Sequence, residues 1–138
     1  MIRETISSIL KRVSEQKTKQ DKIKELASNQ HGAVKTVLIY MFDKRAKFLL
    51  PDTEPPFKVS KFKDPTRLYT EARKLYLFIE GGNPNLKQAK REAIFLDLLE
   101  NVDEDEARLL LAIKDRKNPF KGLTPDIVLA VYPGLFPT

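Results

Sequence analysis

The sequence predicts an all-α protein, a compact single domain of about seven helices. Three observations predict it. Apolar residues recur at helical spacing along most of the chain, and no segment alternates apolar and polar residues as a half-buried strand would. Thr, Asp or Asn stands ahead of several apolar runs, with Pro or Gly behind, which is helix punctuation. The chain has 138 residues, 41% of them hydrophobic, enough for one core.

In order, Ile2, Ile6, Ile9, Leu10 and Val13 share a face and predict a first helix near 2–15. Thr18 can cap a short basic helix near 19–28, with Ile23 and Leu26 inward. Val34, Val37, Leu38, Met41 and Phe42 mark a third near 33–43. Residues 44–64 follow as an irregular stretch with Pro51, Pro55 and Pro56. A loop that long is either functional or draped over the core, and Phe48, Leu49, Leu50, Phe57 and Phe62 predict packing. Asp64-Pro65 opens a fourth helix, with Leu68, Ala72, Leu75, Phe78 and Ile79 buried. Gly81-Gly82-Asn83-Pro84-Asn85 is a turn by composition. Asn85 then caps a fifth helix through Asn101, with Ala89, Ala93, Leu96 and Leu99 inside. Asp103 with Glu106 reads as a capping box for a sixth, through about Asp115. Thr124-Pro125-Asp126 starts a seventh that ends before Pro133-Gly134. The whole of 1–138 is one domain.

Composition narrows the function classes. Charged residues make up 32% of the chain, and no run approaches the roughly 18 apolar residues that cross a bilayer. The N-terminus carries an early acid and no apolar h-region, so no secretory signal is expected. Without cysteine there is no disulfide, thiol catalysis or zinc–cysteine site, and an intracellular setting fits. Net charge is +6, and residues 1–64 hold 14 Lys/Arg against 8 Asp/Glu. Residues 65–138 hold 11 of each, but segregated: Glu100, Asp103, Glu104, Asp105 and Glu106 cluster, and Lys114, Arg116, Lys117 and Lys121 crowd one turn. A basic protein with a local basic turn favours a polyanionic partner.

Catalysis has little to work with. His31 beside Gly32 reads as a surface loop residue. The acidic run reads as capping and dipole complementarity rather than a cation site. Gly81-Gly82 match no phosphate-loop or dinucleotide pattern, and Ser7, Ser8 and Ser14 have no nucleophile context. No enzymatic activity, cofactor or metal is expected.

Binding is better supported. The first surface is the turn from Lys114 through Arg116, Lys117 and Lys121 to Gly122 and Thr124. Gly122 lets backbone approach a phosphate, and Thr124 can cap the helix or donate its hydroxyl. Asp126 offsets part of the helix-start charge. The second is the equivalent joint at Gly82, Lys87, Lys90 and Arg91, where positions 87, 90, 91 and 94 share one helix face. The third, with Lys17, Lys19, Lys22 and Lys24, reads as a solvated face. Aromatics are not interleaved with these cations as in single-strand platforms, so contact with a duplex backbone is the expected mode.

The order of features resembles the N-terminal DNA-binding domain of ATP-dependent DNA ligases, the T-even phage type in particular. Ile9-Leu10, then Lys17-Thr18-Lys19-Gln20-Asp21-Lys22 with a helix to Leu26, is similar to that domain's opening. Val34 to Phe42 with Lys44-Arg45 is similar to its third element, and Leu109 to Gly134 with Val131-Tyr132-Pro133-Gly134-Leu135-Phe136-Pro137 to its close. Gly81-Gly82-Asn83-Pro84-Asn85-Leu86-Lys87 and Pro119-Phe120-Lys121-Gly122-Leu123-Thr124 resemble small uncharacterised proteins of tailed phages, including cyanophages, which look like free-standing versions of the domain. The adenylated Lys-x-Asp-Gly motif of ligases is missing; Lys61-Phe62-Lys63-Asp64 is followed by Pro65. The Pro-rich stretch after Leu50 and Asp126 are further departures.

The resemblance implies a non-enzymatic phage protein in the host cytoplasm that holds double-stranded DNA by its minor groove and phosphates, without strong sequence preference. The contacts fall on Arg116, Lys117, Lys121, Gly122 and Thr124, with the Gly82–Lys87 turn as their partner. The alternative is a protein-interaction module that recruits or inhibits a phage or host replication or transcription protein, anchored by aromatics in 48–62 and by Tyr132, Leu135 and Phe136. A virion structural component is the third reading.

Overall fold

Among the described residues the chain forms seven α-helices and one 3₁₀ segment. They are α1 (Ile6–Ser14), α2 (Lys19–Ala27), α3 (Gly32–Phe42), α4 (Arg67–Glu71), a 3₁₀ helix (Ala72–Phe78), α5 (Gln88–Asn101), α6 (Glu104–Lys114) and α7 (Pro125–Val131). The computed structural model describes residues 4–59 and 64–137. The expectations for Ile2, Phe62 and the stretch Lys61–Lys63 lie outside the described residues. Among the described residues there is no strand, only an isolated antiparallel bridge between Phe48 and Ile79. None of the described helices is long and apolar enough to cross a membrane.

α6 organises the core. Ala107, Leu109, Leu110, Leu111 and Ile113 are all buried, so the helix is covered nearly all round. α1 and α5 pack on it, α2 joins α1 to α7, and α3 packs on α4 and the 3₁₀ helix. Covering α6 so fully buries a charged side chain near each of its ends, and each is satisfied from elsewhere in the fold.

Near the first end, Glu106 is 1% exposed. It closes no capping box with Asp103, which makes no side-chain cap bond. Its carboxyl oxygens instead accept the Ile6 and Ser7 N–H groups at 3.1 and 2.7 Å and so cap α1 across the core. Thr5 completes that cap by accepting the Ser8 N–H and donating to Asp105 at 2.7 Å. Burial pushes the Glu106 carboxyl up to about 8; the Ser7 and Ile6 N–H groups oppose that shift, and the Asp105 and Asp103 charges add to it. At the other end, Lys114 donates to the Pro51 carbonyl at 2.8 Å and to Asp115 at 2.6 Å.

Two predicted elements differ from expectation. The fourth helix starts at Arg67, not at Asp64-Pro65, because the Asp64 carboxylate accepts the Thr66 N–H and hydroxyl at 3.0 and 2.6 Å in a local turn. It then tightens to 3₁₀ geometry. Its buried residues Ala72, Leu75 and Phe78 are three apart, matching three residues per turn. α5 begins at Gln88, since it is Asn83, not Asn85, whose side chain organises the turn by accepting the Asn85 N–H. Its buried positions are Arg91, Phe95, Leu98 and Leu99; Ala89 and Ala93 are exposed.

The proline-containing stretch is draped over the core as expected. Phe48, Leu50 and Phe57 pack against core residues, and Gln88 and Lys114 donate to the Leu49 and Pro51 carbonyls. Arg108 pairs with Glu54 at 2.7 Å and lies over the Phe57 ring.

Candidate functional site

The site is built at the C-terminus of α6. The Arg116 N–H bonds to the Ile113 carbonyl and the Lys117 N–H to the Ala112 carbonyl, at 3.0 and 2.8 Å, which is a Schellman stop. Its left-handed residue is usually glycine. Here it is Arg116, at φ 62°, the one non-glycine with positive φ among the described residues. The guanidinium accounts for the choice. It donates to the Ala46 carbonyl and, at 3.2 Å, to the Asp43 carbonyl. It thereby staples the turn after α3 to the end of α6. Asp43 holds that turn from within. Its carboxylate accepts the Arg45 N–H and two guanidinium N–H groups at 2.9 to 3.1 Å. Hydrogen bonding from Arg45, aided by the Arg45 and Arg116 charges, keeps the Asp43 carboxyl below the usual range.

The two stapled segments enclose a cleft of about 560 Å³ lined by Lys44, Lys47, Phe48, Asp52, Arg116 and Lys117, among others. Lys44, Lys47 and Lys117 are exposed. Lys47 has only a loose pair with Glu80 at 3.9 Å, and Lys44 and Lys117 have no ion pair among the described residues. Asp115 is engaged by Lys114, which leaves Asp52 as the acid of the lining without a side-chain hydrogen bond or ion pair among the described residues. Phe48 forms part of the wall, with its ring set edge-on to Tyr40. The arrangement places Lys44, Lys47 and Lys117 on one cleft, where they can meet an anion.

The predicted contact residues separate into groups. Arg116 and Lys117 belong to the cleft. Lys114 lines it but leaves the list of contact residues, because its side chain is 2% exposed and its ammonium is spent on Pro51 and Asp115. Arg91 leaves it for a similar reason: it is buried, with bonds to the Leu77 and Leu86 carbonyls and to Gln88. Gly122, at φ +112°, gives no open approach; a Cβ there would stand 2.8 Å from the Ser14 carbonyl oxygen. Its own carbonyl accepts Lys22 at 3.0 Å. Thr124 makes no side-chain cap bond and donates to Asp126. Asp126 pairs with Lys19 at 2.6 Å, and those two contacts, Lys19 foremost, hold its carboxyl at about 2. An anion already occupies the start of α7. Gly82 is a packing glycine, since a Cβ would fall 1.7 Å from the Tyr76 carbonyl oxygen. Lys121 and Lys87 are exposed, and Lys90 lines a separate cleft with Arg73 and Tyr76.

Sequence reasoning missed Lys47 and gave Lys44 no role of its own. The signal was present: Lys44-Arg45-Ala46-Lys47 is a dense basic run directly after an apolar helix. The proposed tail anchors also turn inward. Phe136 is buried and stacks on Phe42, and Tyr132 and Leu135 are half-buried.

Residues 9–118 match a family of unknown function (DUF6433), and the chain belongs to that family. The matched span contains every residue lining the cleft, whereas Lys121 to Thr124 follow it. No curated protein matches the sequence.

Proposed function

We propose that this protein is a non-enzymatic, phage-type DNA-binding protein that holds double-stranded DNA by its phosphates without strong sequence preference. The observation that carries the reading is the convergence of Lys44, Lys47 and Lys117 on one cleft from two segments joined by Arg116. Arg116 occupies a backbone conformation that favours glycine, so the joint is maintained against a local cost. The net charge of +6 adds long-range attraction to a polyanion. The resemblance to ligase DNA-binding domains favours a duplex over other polyanions. The contact set becomes Lys44, Lys47 and Lys117, held in place by Arg116, with Lys121 and Lys87 as outlying charges.

The mechanism is counterion release. Each lysine that neutralises a phosphate displaces condensed cations, so about three such contacts give a log–log salt slope near −3. The test is fluorescence anisotropy with a duplex of about 20 base pairs, intact and nicked, and its single strand, at roughly 50 to 200 mM salt. The Lys44→Glu/Lys47→Glu/Lys117→Glu variant should keep its melting temperature, lose most of the slope and bind at least about tenfold more weakly. A folded triple variant with unchanged affinity removes the cleft from the interface. Preference for the single strand overturns the duplex reading.

A further inference from the structure

A second cleft, of about 780 Å³, lies between the 3₁₀ helix and α5. Its lining follows from helix geometry. At three residues per turn a 3₁₀ helix has three rows of side chains. The row Ala72, Leu75, Phe78 enters the core. The other two, Arg73 with Tyr76 and Lys74 with Leu77, line the cleft. α5 contributes Lys90, Ala93, Ile94 and Asp97, which at i, i+3, i+4 and i+7 form a single face. The apolar stripe of α5 is wider than the core uses. Phe95, Leu98 and Leu99 are buried, while Ala93 stays exposed and Ile94 half-buried beside the cleft. Tyr76 is 45% exposed, one of two large hydrophobic residues so exposed among the described residues.

We propose that this cleft docks an acidic amphipathic segment of a partner protein, its apolar side chains on Leu77, Ala93, Ile94 and Tyr76 and its carboxylates on Arg73 and Lys90. Charge complementarity selects this occupant. Lys74 is engaged by Glu71 at 2.7 Å, but Arg73 and Lys90 have no ion pair among the described residues. Two unneutralised cations therefore flank an apolar floor, opposed only by Asp97. Leucine or phenylalanine side chains fill an aliphatic floor and acids meet the rim, as in helix-in-groove recognition. A nucleic acid strand fits less well, because Leu77, Ala93 and Ile94 offer no stacking face and Tyr76 alone serves one base. The surface is distinct from the basic cleft, so the two proposals fail separately.

The test uses a labelled helical peptide of about 16 residues, Leu and Phe on one face and Glu on its flanks, read by fluorescence anisotropy. Its controls are the Lys-flanked version, polyglutamate and an oligothymidylate, each of similar length. Micromolar binding of the Glu-flanked peptide alone is expected, weakened about tenfold by Tyr76→Ser and by Arg73→Glu/Lys90→Glu. The Lys44→Glu/Lys47→Glu/Lys117→Glu variant should bind it as the wild type does. Amide shifts at Ala93 and Ile94 locate the peptide. Failure of the Glu-flanked peptide to bind, equal binding of polyglutamate, indifference to the Tyr76 and Arg73/Lys90 changes, or preference for the oligothymidylate overturns the proposal.

Discussion

Replacing Arg116 by alanine and by glycine separates the two things this residue does. Its backbone sits at φ 62°, where a side chain with a Cβ costs about 1 kcal/mol or more. Its guanidinium donates to the Ala46 and Asp43 carbonyls. Hydrogen bonds from charged groups are worth about 1.5–3 kcal/mol, and the residue's exposure lowers the value of this pair to about 2 kcal/mol in total. Arg116→Ala keeps the backbone cost and loses the staple, so it should destabilise by about 2 kcal/mol. Arg116→Gly loses the staple but relieves the backbone, so the loss should be about 1 kcal/mol.

For a chain of 138 residues the gap of about 1 kcal/mol is roughly 3 °C in Tm, with Arg116→Gly the more stable. Thermal and urea unfolding followed by circular dichroism resolve it. Duplex affinity should fall in both variants by a similar factor, because both release the turn carrying Lys44 and Lys47. An Arg116→Ala protein as stable as Arg116→Gly would refute the strain argument. Two variants as stable as the wild type would refute the staple.

Three further outcomes are expected. Burial lifts the Glu106 carboxyl from 4.5 to about 8, so between those pH values the folded protein holds a proton that the unfolded chain has released. That contribution is full below pH 4.5 and is lost as pH rises through 8; it is on the order of 5 kcal/mol, and Glu106→Gln should flatten the curve of urea-unfolding stability over this window. Gly82→Ala should cost several kcal/mol, since its Cβ would fall 1.7 Å from the Tyr76 carbonyl, and Gly122→Ala should cost about 1–3 kcal/mol; unchanged melting in either would count against the packing described. Lys114→Met should leave duplex affinity within about twofold while Lys117→Glu lowers it, and equal losses in anisotropy titrations would return Lys114 to the interface.

What the sequence reveals of this fold and what it hides divide along the range of the interaction involved. The helices are legible because their causes are local. Ile6, Ile9, Leu10 and Val13 declare a buried face within one segment, and Thr18 caps α2 with the bond to the Asp21 N–H that its position implies. The 3₁₀ turn is less legible, because the spacing of Ala72, Leu75 and Phe78 suits one face of an α-helix as well. The errors arise where a partner far along the chain outbids a near one. Glu106 can reach Asp103 at the cap of its own helix, yet its carboxyl goes to Ile6 and Ser7, whose N–H groups are otherwise orphaned at the start of α1.

The same competition explains the candidate site. Lys114 and Arg91 looked like ligand-binding cations because a lysine or arginine beside a turn is usually solvated. Both are buried, and their charged ends satisfy carbonyls of Pro51, Leu77 and Leu86 instead. Lys44 and Lys47, less conspicuous in the sequence, are exposed, while Arg116 holds the Asp43 and Ala46 carbonyls of their turn. A cation's availability to a partner thus depends on how many buried acceptors the fold leaves within its reach. For the basic cleft that number is set by tertiary contacts between residues 43–51 and 114–117, and no window of local sequence contains both.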